Sequence, residues 1–386
     1  MEKTLACGAK EYRFESCRAH RMKLKKGTRI LVAMSGGIDS SVAAALLKRA
    51  GFDVIGAFMR FWSEEIEGKK TRCCSPEAEK RAKKVASILK IPFYVFNFEK
   101  EFKKRIVNYF LKGYKEGITP NPCVVCNKEI KFGLFLEKAL KINADFVATG
   151  HYAKKRSKVK NQRSKIIYEL LKAKDAKRDQ SYFLWMLNQQ QLKKILFPLG
   201  DYTEKEVRNL AKKFKLPVLD IPKSTEICFI KTTINNFLEK YLKENPGKIV
   251  CTLPDNKQKI IGRHRGLWFY TIGQRKGIGL PSGPYYVLDK DLKKNLLVVT
   301  KNEKDLYKKE LICKNVNWIS GKKPKLPLKV KAKIRYRHSP ALSIITYNGK
   351  SKVYNVKFAH PQRAITSGQS IVFYKGKELL GGGIIS

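Results

Sequence analysis

Two glycines, an aspartate and three serines lie together where an apolar run ends and a helical pattern begins. The segment Met34-Ser35-Gly36-Gly37-Ile38-Asp39-Ser40-Ser41 joins the apolar residues 30–33 to the helical pattern of residues 42–50. Glycines permit a tight turn that brings backbone N–H groups close to an anion, and Ser40 and Ser41 stand where a helix start needs caps and hydroxyl donors. The segment therefore predicts a phosphate-binding loop in which Asp39 holds a magnesium ion. A glycine-rich turn without a ligand is the alternative.

The loop lacks the lysine of a Walker P-loop. That motif needs Gly, four residues, Gly, Lys and Ser or Thr in order, so kinase and GTPase chemistry are disfavoured. The pattern Ser-Gly-Gly-x-Asp-Ser instead resembles the PP-loop of the ATP pyrophosphatases. Those enzymes release pyrophosphate and leave AMP on an oxygen of the substrate, which turns that oxygen into a leaving group.

Three cysteines form a second candidate for chemistry. Cys123 and Cys126 follow Pro120 and Pro122, which predict a rigid, non-helical loop just before a helix over residues 132–142. The dipole of that helix would favour thiolate over thiol, as at a reactive cysteine. Half of a zinc site is an alternative, although no second cysteine or histidine pair completes four ligands, and an ordinary buried cysteine is another. Cys228 lies in a short polar-to-apolar turn.

The order of apolar patterns predicts an α/β protein followed by β structure. Short apolar runs alternate with helical periods from residue 28 to about 216, which indicates a doubly wound parallel sheet with its site at the carboxyl ends of the strands. Residues 154–171 suggest an excursion from the domain or a hairpin, and Thr203 caps a helix with Glu206 at capping-box spacing. Beyond residue 232, glycine-punctuated and alternating runs predict a small mixed α+β domain and a C-terminal β-barrel. We expect an extension of unknown role at residues 1–27. The three domains should then cover residues 28–232, 233–305 and 306–386, in the order just given.

Charge and cysteine content indicate the partner and the compartment. The 386 residues include 81 Lys and Arg against 33 Asp and Glu, a formal charge of +48. Such an excess favours a nucleic acid partner, although a general lysine bias would also contribute. We find neither a signal peptide nor an apolar run long enough to span a membrane, so we expect a cytoplasmic chain with nine reduced cysteines.

Seven motifs occur in an order that resembles the tRNA-specific 2-thiouridylases, from residue 28 to the end of the chain. They are the PP-loop, Asn121-Pro122 with Cys126-Asn127-Lys128, Ala148-Thr149-Gly150-His151-Tyr152, Asp179-Gln180-Ser181-Tyr182-Phe183-Leu184, the Cys228 segment, Tyr270-Thr271-Ile272-Gly273-Gln274-Arg275-Lys276-Gly277 and Gly368-Gln369-Ser370. The resemblance implies a PP-loop catalytic domain, a central tRNA-binding domain and a β-barrel.

The resemblance also implies roles for individual residues. Cys126 matches the catalytic nucleophile, and Cys228 matches the cysteine that carries a persulfide sulfur. The positions that match ATP contacts are Ala33, Met34, Ser35, Gly36, Gly37, Ile38, Asp39, Ser40, Met59 and Gly150. The positions that match tRNA contacts are Asn121, Pro122 and Cys123 at the target uracil, with His151, Arg178, Asp179, Gln180, Arg335, Tyr336 and Gln369 elsewhere on the tRNA.

The implied reaction is ATP-dependent 2-thiolation of the anticodon wobble uridine. ATP with Mg²⁺ adenylates the uracil 2-oxygen, and sulfur that a cysteine desulfurase or relay protein loads onto Cys228 displaces AMP. The chain departs from many relatives at Cys123, where an aspartate is common. Three thiolates at Cys123, Cys126 and Cys228 would also suffice for a [4Fe–4S] cluster, the less favoured alternative; we expect no other metal.

Two other functions remain open from the sequence. One is another RNA-directed PP-loop enzyme, of the 2-thiocytidine or lysidine synthetase type. The other is a non-catalytic basic RNA-binding protein, against which the intact Asp39, Ser40, Cys126 and Cys228 argue.

Overall fold

The computed structural model describes residues 25–64, 75–160, 165–220, 227–252 and 258–386, and these residues form three β-sheets with flanking helices. The first 24 residues of the predicted extension, and residues 223–226 of the Cys228 segment, lie outside the described residues. Among the described residues, no helix combines the length and apolar character that crossing a membrane requires.

A five-stranded parallel sheet carries the N-terminal part of the chain. Its order is β3-β2-β1-β4-β7, so the chain reverses direction across the sheet between β1 and β4, as in a doubly wound fold. The strands are β1 Arg29–Ala33, β2 Asp53–Arg60, β3 Phe93–Asn97, β4 Phe146–Ala148 and β7 Ile195–Leu196. The predicted fold class is confirmed.

Helices cover this sheet and support its carboxyl edge. They are α1 Ile38–Arg49, α2 Pro76–Ile88, α3 with contiguous segments Glu99–Phe102, Lys103–Val107 and Asn108–Lys115, α4 with segments Pro122–Cys126, Asn127–Leu134 and Phe135–Lys141, α5 Gln189–Lys193, α6 Glu204–Lys213 and α7 Ile234–Tyr241. Short 3₁₀ turns lie at Ser181–Leu184, Leu267–Phe269 and Glu303–Leu306. The predicted capping box at Thr203 and Glu206 begins α6.

Alternate residues of β1 face two separate cores, as a buried parallel strand requires. Leu31 and Ala33 pack into a cluster that contains Cys126 and Phe229. Ile30, Val32 and Met34 pack into a second cluster with α1, α2 and α6. The loop after β1 therefore leaves the sheet with both faces of its strand fixed.

The remaining strands form a mixed central sheet and a closed barrel. Strands β8 Gly247–Thr252, β9 Gln258–His264, β10 Tyr286–Asp291 and β11 Leu296–Thr300 have the order β10-β11-β8-β9. The antiparallel barrel contains β12 Tyr307–Trp318, β13 Leu328–Lys333, β14 Ala341–Asn348, β15 Val353–Arg363, β16 Ser370–Lys375 and β17 Glu378–Ile385, and it closes through the pairing of β12 with β17.

The hairpin predicted over residues 154–171 is present, but it pairs with the barrel and not with the parallel sheet. Strands β5 Lys154–Lys160 and β6 Lys165–Leu171 pair with each other, and β6 continues onto β17 through Leu171 and Leu170 opposite Glu378 and Leu379. Residues 154–171 therefore extend the sheet of the barrel and are not part of the parallel sheet.

One expectation about helix boundaries is wrong. Helix α4 begins at Pro122, whereas the two prolines predicted a loop that continues past Cys126. Proline at the first helical position loses no hydrogen bond, because that N–H has no partner within the helix. Asn121 caps the helix by accepting the backbone N–H of Val124 at 3.4 Å.

Gly36 in the loop after β1 permits the close packing of α2. Its φ is +73°, and a Cβ atom at this position would lie 2.2 Å from the Ala78 carbonyl oxygen. We expect Gly36→Ala to lower the free energy of unfolding by at least about 2 kcal/mol, because left-handed strain and a backbone clash add together.

Gly37→Ala is the matched control for that substitution. Gly37 has a φ of −94°, and its added Cβ would come no closer than 3.6 Å to the Ser35 hydroxyl. Urea denaturation should therefore show a loss within about 1 kcal/mol for this variant. Equal losses for the two variants would contradict the packing argument.

Candidate active site

The loop after β1 presents the first turn of α1 without a side-chain cap. Gly37 is the N-cap residue, so Ser40 and Ser41 do not cap the helix as the sequence suggested. Both hydroxyls instead donate to the Gly37 carbonyl oxygen, at 3.1 and 2.8 Å, and the Ser40 hydroxyl also accepts the Ser35 backbone N–H at 3.1 Å. Backbone N–H groups at an uncapped helix N-terminus are suited to bind phosphate.

Gly150 brings the end of β4 against this loop. A Cβ at Gly150 would lie 2.7 Å from the Ser40 nitrogen and 2.8 Å from the Asp39 carbonyl carbon. Only glycine fits this contact, which places residues 149–152 beside the first turn of α1. The other predicted ATP contacts surround the same edge: Ala33 and Met34 are buried at the end of β1, and Met59 is half-buried near the end of β2.

The Asp39 carboxylate receives two side chains from beyond the sheet. Tyr152 donates its hydroxyl to Asp39 Oδ1 at 2.8 Å, and Arg178 Nη2 lies 3.5 Å from Asp39 Oδ2. Burial raises the pKa of Tyr152, and the adjacent carboxylate raises it further, so the phenol remains a donor. The sequence assigned Tyr152 no role. Its place directly after Gly150 and His151 in a motif was the available signal.

His151 is held neutral next to the loop. Its Nδ1 lies 2.7 Å from the Thr149 hydroxyl, and its ring packs against Phe132 of α4 at 5.7 Å between centroids. Burial lowers the pKa of His151 well below its usual value, and the positive charge of Lys131 lowers it further. The residue therefore joins the β4 edge to the helix of the two cysteines as a neutral side chain.

Cys126 is buried in the second turn of α4, and Cys123 is half-buried one turn earlier. Burial raises the pKa of the Cys126 thiol to about 11, against the opposing effect of the Lys131 charge. The expected thiolate is therefore not favoured in this conformation. The helix dipole acts on the first turn, and Cys126 lies beyond the N–H groups that carry it. The sequence did not single out Lys131, whose positive charge lowers the pKa of Cys123, Cys126 and His151 alike.

Glu64 fixes the loop that carries Cys228. Its backbone N–H donates to the Phe229 carbonyl oxygen at 3.0 Å, and Glu64 Oε2 accepts the backbone N–H of Lys231 at 3.2 Å. Glu64 is 3% exposed and also pairs with Lys240 of α7. Cys228 is half-buried at the edge of the cluster that contains Cys126. Nothing in the local sequence marked Glu64, because its partners are distant along the chain.

The barrel supports the loop that precedes α4. Gln369 Nε2 donates to the Thr119 carbonyl oxygen at 2.8 Å, and the Thr119 backbone N–H donates to the Ser367 carbonyl oxygen at 2.9 Å. Tyr336 packs against Phe183, with 4.5 Å between ring centroids. Asn127 on α4 donates to the Phe183 carbonyl oxygen at 3.1 Å. The structure thus brings Tyr336 and Gln369 close to the segment that includes Asn121 and Pro122.

Three of the residues predicted to contact tRNA are engaged inside the protein. Asp179 is buried and accepts the Ala173 backbone N–H at 3.0 Å and the Ser181 hydroxyl at 2.8 Å. Gln180 Oε1 accepts the Tyr152 backbone N–H at 2.9 Å. Arg335 Nη2 donates to the Ala364 carbonyl oxygen at 2.9 Å and to the Thr366 hydroxyl at 2.6 Å. Their contact with tRNA stays a prediction. It requires either that these hydrogen bonds break or that tRNA contacts other atoms of the same side chains.

The thiols do not assemble into a metal site in this structure. Within the ranges that the structure covers, no group of three or more His, Cys, Asp or Glu side chains is arranged to hold a metal ion. Cys123, Cys126 and Cys228 therefore do not fit a [4Fe–4S] cluster in this conformation, and we derive no step through one.

Three family models match successive parts of the chain. A tRNA methyl transferase HUP domain matches residues 28–232, a tRNA methyl transferase PRC-barrel domain matches residues 235–301, and an aminomethyltransferase beta-barrel domain matches residues 308–385. These matches follow the order of the parallel sheet, the mixed sheet and the closed barrel.

Curated relatives match nearly the whole chain. The tRNA-specific 2-thiouridylase MnmA of Clostridioides difficile (strain 630) is 46% identical over 364 residues, which cover 92% of this chain and 98% of the relative. The tRNA-specific 2-thiouridylase MnmA 2 of Thermoanaerobacter sp. (strain X514) is 48% identical over 365 residues, which cover 92% and 97%. Two of the model descriptions refer to methyl transfer, whereas these full-length relatives are named for thiolation.

The raised pKa of Cys126 predicts how its alkylation depends on pH. Because only the thiolate reacts, we expect the rate of Cys126 modification by iodoacetamide to rise about tenfold per pH unit between pH 7 and 9. Peptide mass spectrometry of the free protein measures this rate, with Cys126→Ser as the control for assignment. A plateau below pH 9 would show a lowered pKa and restore the expectation from the helix dipole.

Proposed function

The chain belongs to the tRNA-specific 2-thiouridylase family, and on that premise we propose that it uses ATP to replace the 2-oxygen of the anticodon wobble uridine in tRNA with sulfur. One observation supports this most directly. Gly150 touches the phosphate-binding loop while the adjacent His151 packs on the helix that carries Cys126. The proposed sites for ATP activation and for thiol chemistry would therefore adjoin across two consecutive residues.

The first step activates the uracil. The 2-oxygen of uridine attacks the α-phosphorus of ATP, its bond to phosphorus forms, and pyrophosphate leaves with the bridging oxygen. Backbone N–H groups at the start of α1 would hold the departing pyrophosphate. Mg²⁺ would neutralise charge on the phosphates, and Asp39 fits it because the contact of Oδ2 with Arg178 is long, at 3.5 Å.

The second step transfers sulfur, and the two cysteines supply the two electrons that reduce the outer sulfur of the persulfide. The terminal sulfur of a Cys228 persulfide attacks C2 of the uracil, and AMP leaves with the former 2-oxygen. Cys126 then attacks the sulfur of Cys228, so that the S–S bond to the new C2 sulfur breaks and the 2-thiouridine leaves. If Cys126 attacks first, hydrosulfide is released and reacts with C2. Either order produces a Cys126–Cys228 disulfide, which an external thiol must reduce before the next turnover.

The proposed substrate also agrees with the surface charge. A formal charge of +48 favours a polyanion, and a wobble base in a single-stranded loop can be splayed out cheaply to reach the site. Aromatic rings at Tyr336 and Phe183 are suitable for stacking against exposed bases. We propose a cysteine desulfurase or a relay protein as the sulfur donor, in the reducing cytoplasm where both thiols regenerate.

Asp39→Ala and Cys228→Ser separate the two steps. We expect Asp39→Ala to lower tRNA-dependent pyrophosphate release roughly a hundredfold or more, because the Mg²⁺ that Asp39 would hold neutralises phosphate charge and contributes several kcal/mol. Cys228→Ser should still release pyrophosphate but form no 2-thiouridine. Pyrophosphate detection and nucleoside mass spectrometry measure the two products, and Ser35→Ala tests a second position in the loop.

A Cys228→Ser enzyme that thiolates tRNA normally would overturn the persulfide assignment. Pyrophosphate release that is unchanged in Asp39→Ala would overturn the assignment of the loop. tRNA binding of both variants, measured separately, should not fall below the wild-type value, because neither change removes a cation from the surface.

Cys123 provides a test between sulfur carriers. Under the persulfide route, Cys123→Asp should keep substantial thiolation activity, because it restores the residue that many relatives carry and removes no thiol that the route uses. Cys126→Ser, one helical turn away on α4, should be inactive. Protein purified without oxygen should be assayed for iron and sulfide beside activity. An inactive Cys123→Asp enzyme that has also lost bound iron would favour a cluster.

A further inference from the structure

We propose that Arg178 occupies the Asp39 carboxylate when tRNA is absent, and that a phosphate or base of tRNA draws Arg178 away and frees Asp39 for the magnesium ion of ATP. Binding of ATP with Mg²⁺ and binding of tRNA would then be coupled through this one side chain. The inference rests on the role of Asp39 proposed above.

The contacts of Arg178 are suited to exchange. Its Nη2 lies 3.5 Å from Asp39 Oδ2, and its Nε lies 3.6 Å from Glu204 Oε2. Charge-assisted hydrogen bonds between arginine and carboxylate are normally about 2.7–2.9 Å long, so neither carboxylate holds the guanidinium at full strength. The Arg178 Nε is buried and has no hydrogen-bond partner. A guanidinium with an unused donor is favourable for bidentate binding of phosphate.

A second connection links the same chain segment to Asp39. Gln180 Oε1 accepts the backbone N–H of Tyr152, and the Gln180 backbone N–H donates to the Tyr152 carbonyl oxygen at 2.8 Å. Tyr152 in turn donates its hydroxyl to Asp39 Oδ1. The Arg178 guanidinium also lies 5.4 Å from the centre of the Tyr152 ring. Movement of residues 178–180 toward a ligand would therefore change the contacts of both oxygens of the Asp39 carboxylate.

Competition between Arg178 and Mg²⁺ for Asp39 explains why tRNA should strengthen the binding of ATP. A guanidinium beside Asp39 partly neutralises the carboxylate and repels a divalent cation, so Mg²⁺ must displace it before binding. A polyanion that binds Arg178 removes this competition. Because coupling between two sites is reciprocal, tRNA should raise the affinity for ATP with Mg²⁺ by the same factor by which ATP raises the affinity for tRNA, typically 5–150-fold. ATP would then be activated chiefly when an acceptor is present.

Removal of the guanidinium tests the proposal by binding alone. The affinity for a non-hydrolysable ATP analogue with Mg²⁺ is measured by calorimetry, without tRNA and at tRNA concentrations that saturate each protein. Arg178→Ala should bind the analogue at least about fivefold more tightly than wild type without tRNA, and tRNA should raise its affinity no further. Glu204→Gln removes the competing carboxylate, so it should weaken binding of the analogue in the wild-type background but not in Arg178→Ala.

Arg81→Ala is the matched control. Arg81 Nε lies 3.4 Å from the Gly36 carbonyl oxygen, so its removal deletes a cation beside the same loop without removing a contact from Asp39. This variant should not gain affinity. A gain equal to that of Arg178→Ala would show that general charge, and not competition at Asp39, controls the binding, and it would overturn the proposal.

Two further outcomes are decisive. Weaker binding of the analogue by Arg178→Ala would assign Arg178 to the ATP phosphates themselves, and unchanged binding would show that the contact has no influence; either result overturns the coupling. Asp39→Asn distinguishes this from failure of the proposed function. Asp39→Asn with wild-type affinity for the analogue would refute the magnesium role, whereas loss of affinity beside a silent Arg178→Ala would refute the coupling only.

Discussion

The candidate site depends on one backbone contact, the approach of Gly150 to the first turn of α1. A side chain at this position would overlap the Ser40 nitrogen, so the end of β4 and the loop after β1 can meet only where the residue is glycine. Tyr152 then reaches Asp39, and His151 reaches the helix of Cys126. The parallel pairing of β1 with β4 brings these segments to the same edge, and the absence of a Cβ closes the last few ångströms.

Local patterns predicted the parts of the molecule that local physics determines. Alternating apolar runs gave the parallel sheet, and the spacing of Thr203 and Glu206 gave the start of α6. The predicted start of α4, after Cys126, was wrong because Pro122 was interpreted as a helix breaker, although it stands at the first helical position, which tolerates proline. Tyr152, Glu64 and Lys131 were missed because their importance arises from neighbours that only the folded chain provides.

In the mechanism proposed above, a protonated Cys126 suits an enzyme that keeps its sulfur until the substrate arrives. Burial opposes ionisation of the Cys126 thiol, and the positive charge of Lys131 only partly offsets this effect on its pKa. A persulfide ionises more readily than a thiol. At one pH, a persulfide on Cys228 would therefore be ionised to a larger extent than the Cys126 thiol. Under the proposed mechanism, such a difference would favour attack on the uracil before attack by Cys126 and would limit the loss of free hydrosulfide.

The pairing of β6 with β17 cannot form until the ribosome has synthesised nearly the whole chain. Leu171 must wait for Glu378, roughly two hundred residues later, and at 5–20 residues per second this delay lasts about 10–40 seconds. During that time β6 has an unpaired edge, which is a surface that other strands can join. Lysine and arginine side chains along the partner strand β5 repel like-charged chains. The positive charge of β5 can thus keep the unfinished hairpin from pairing with copies of itself, an effect separate from any contact with RNA.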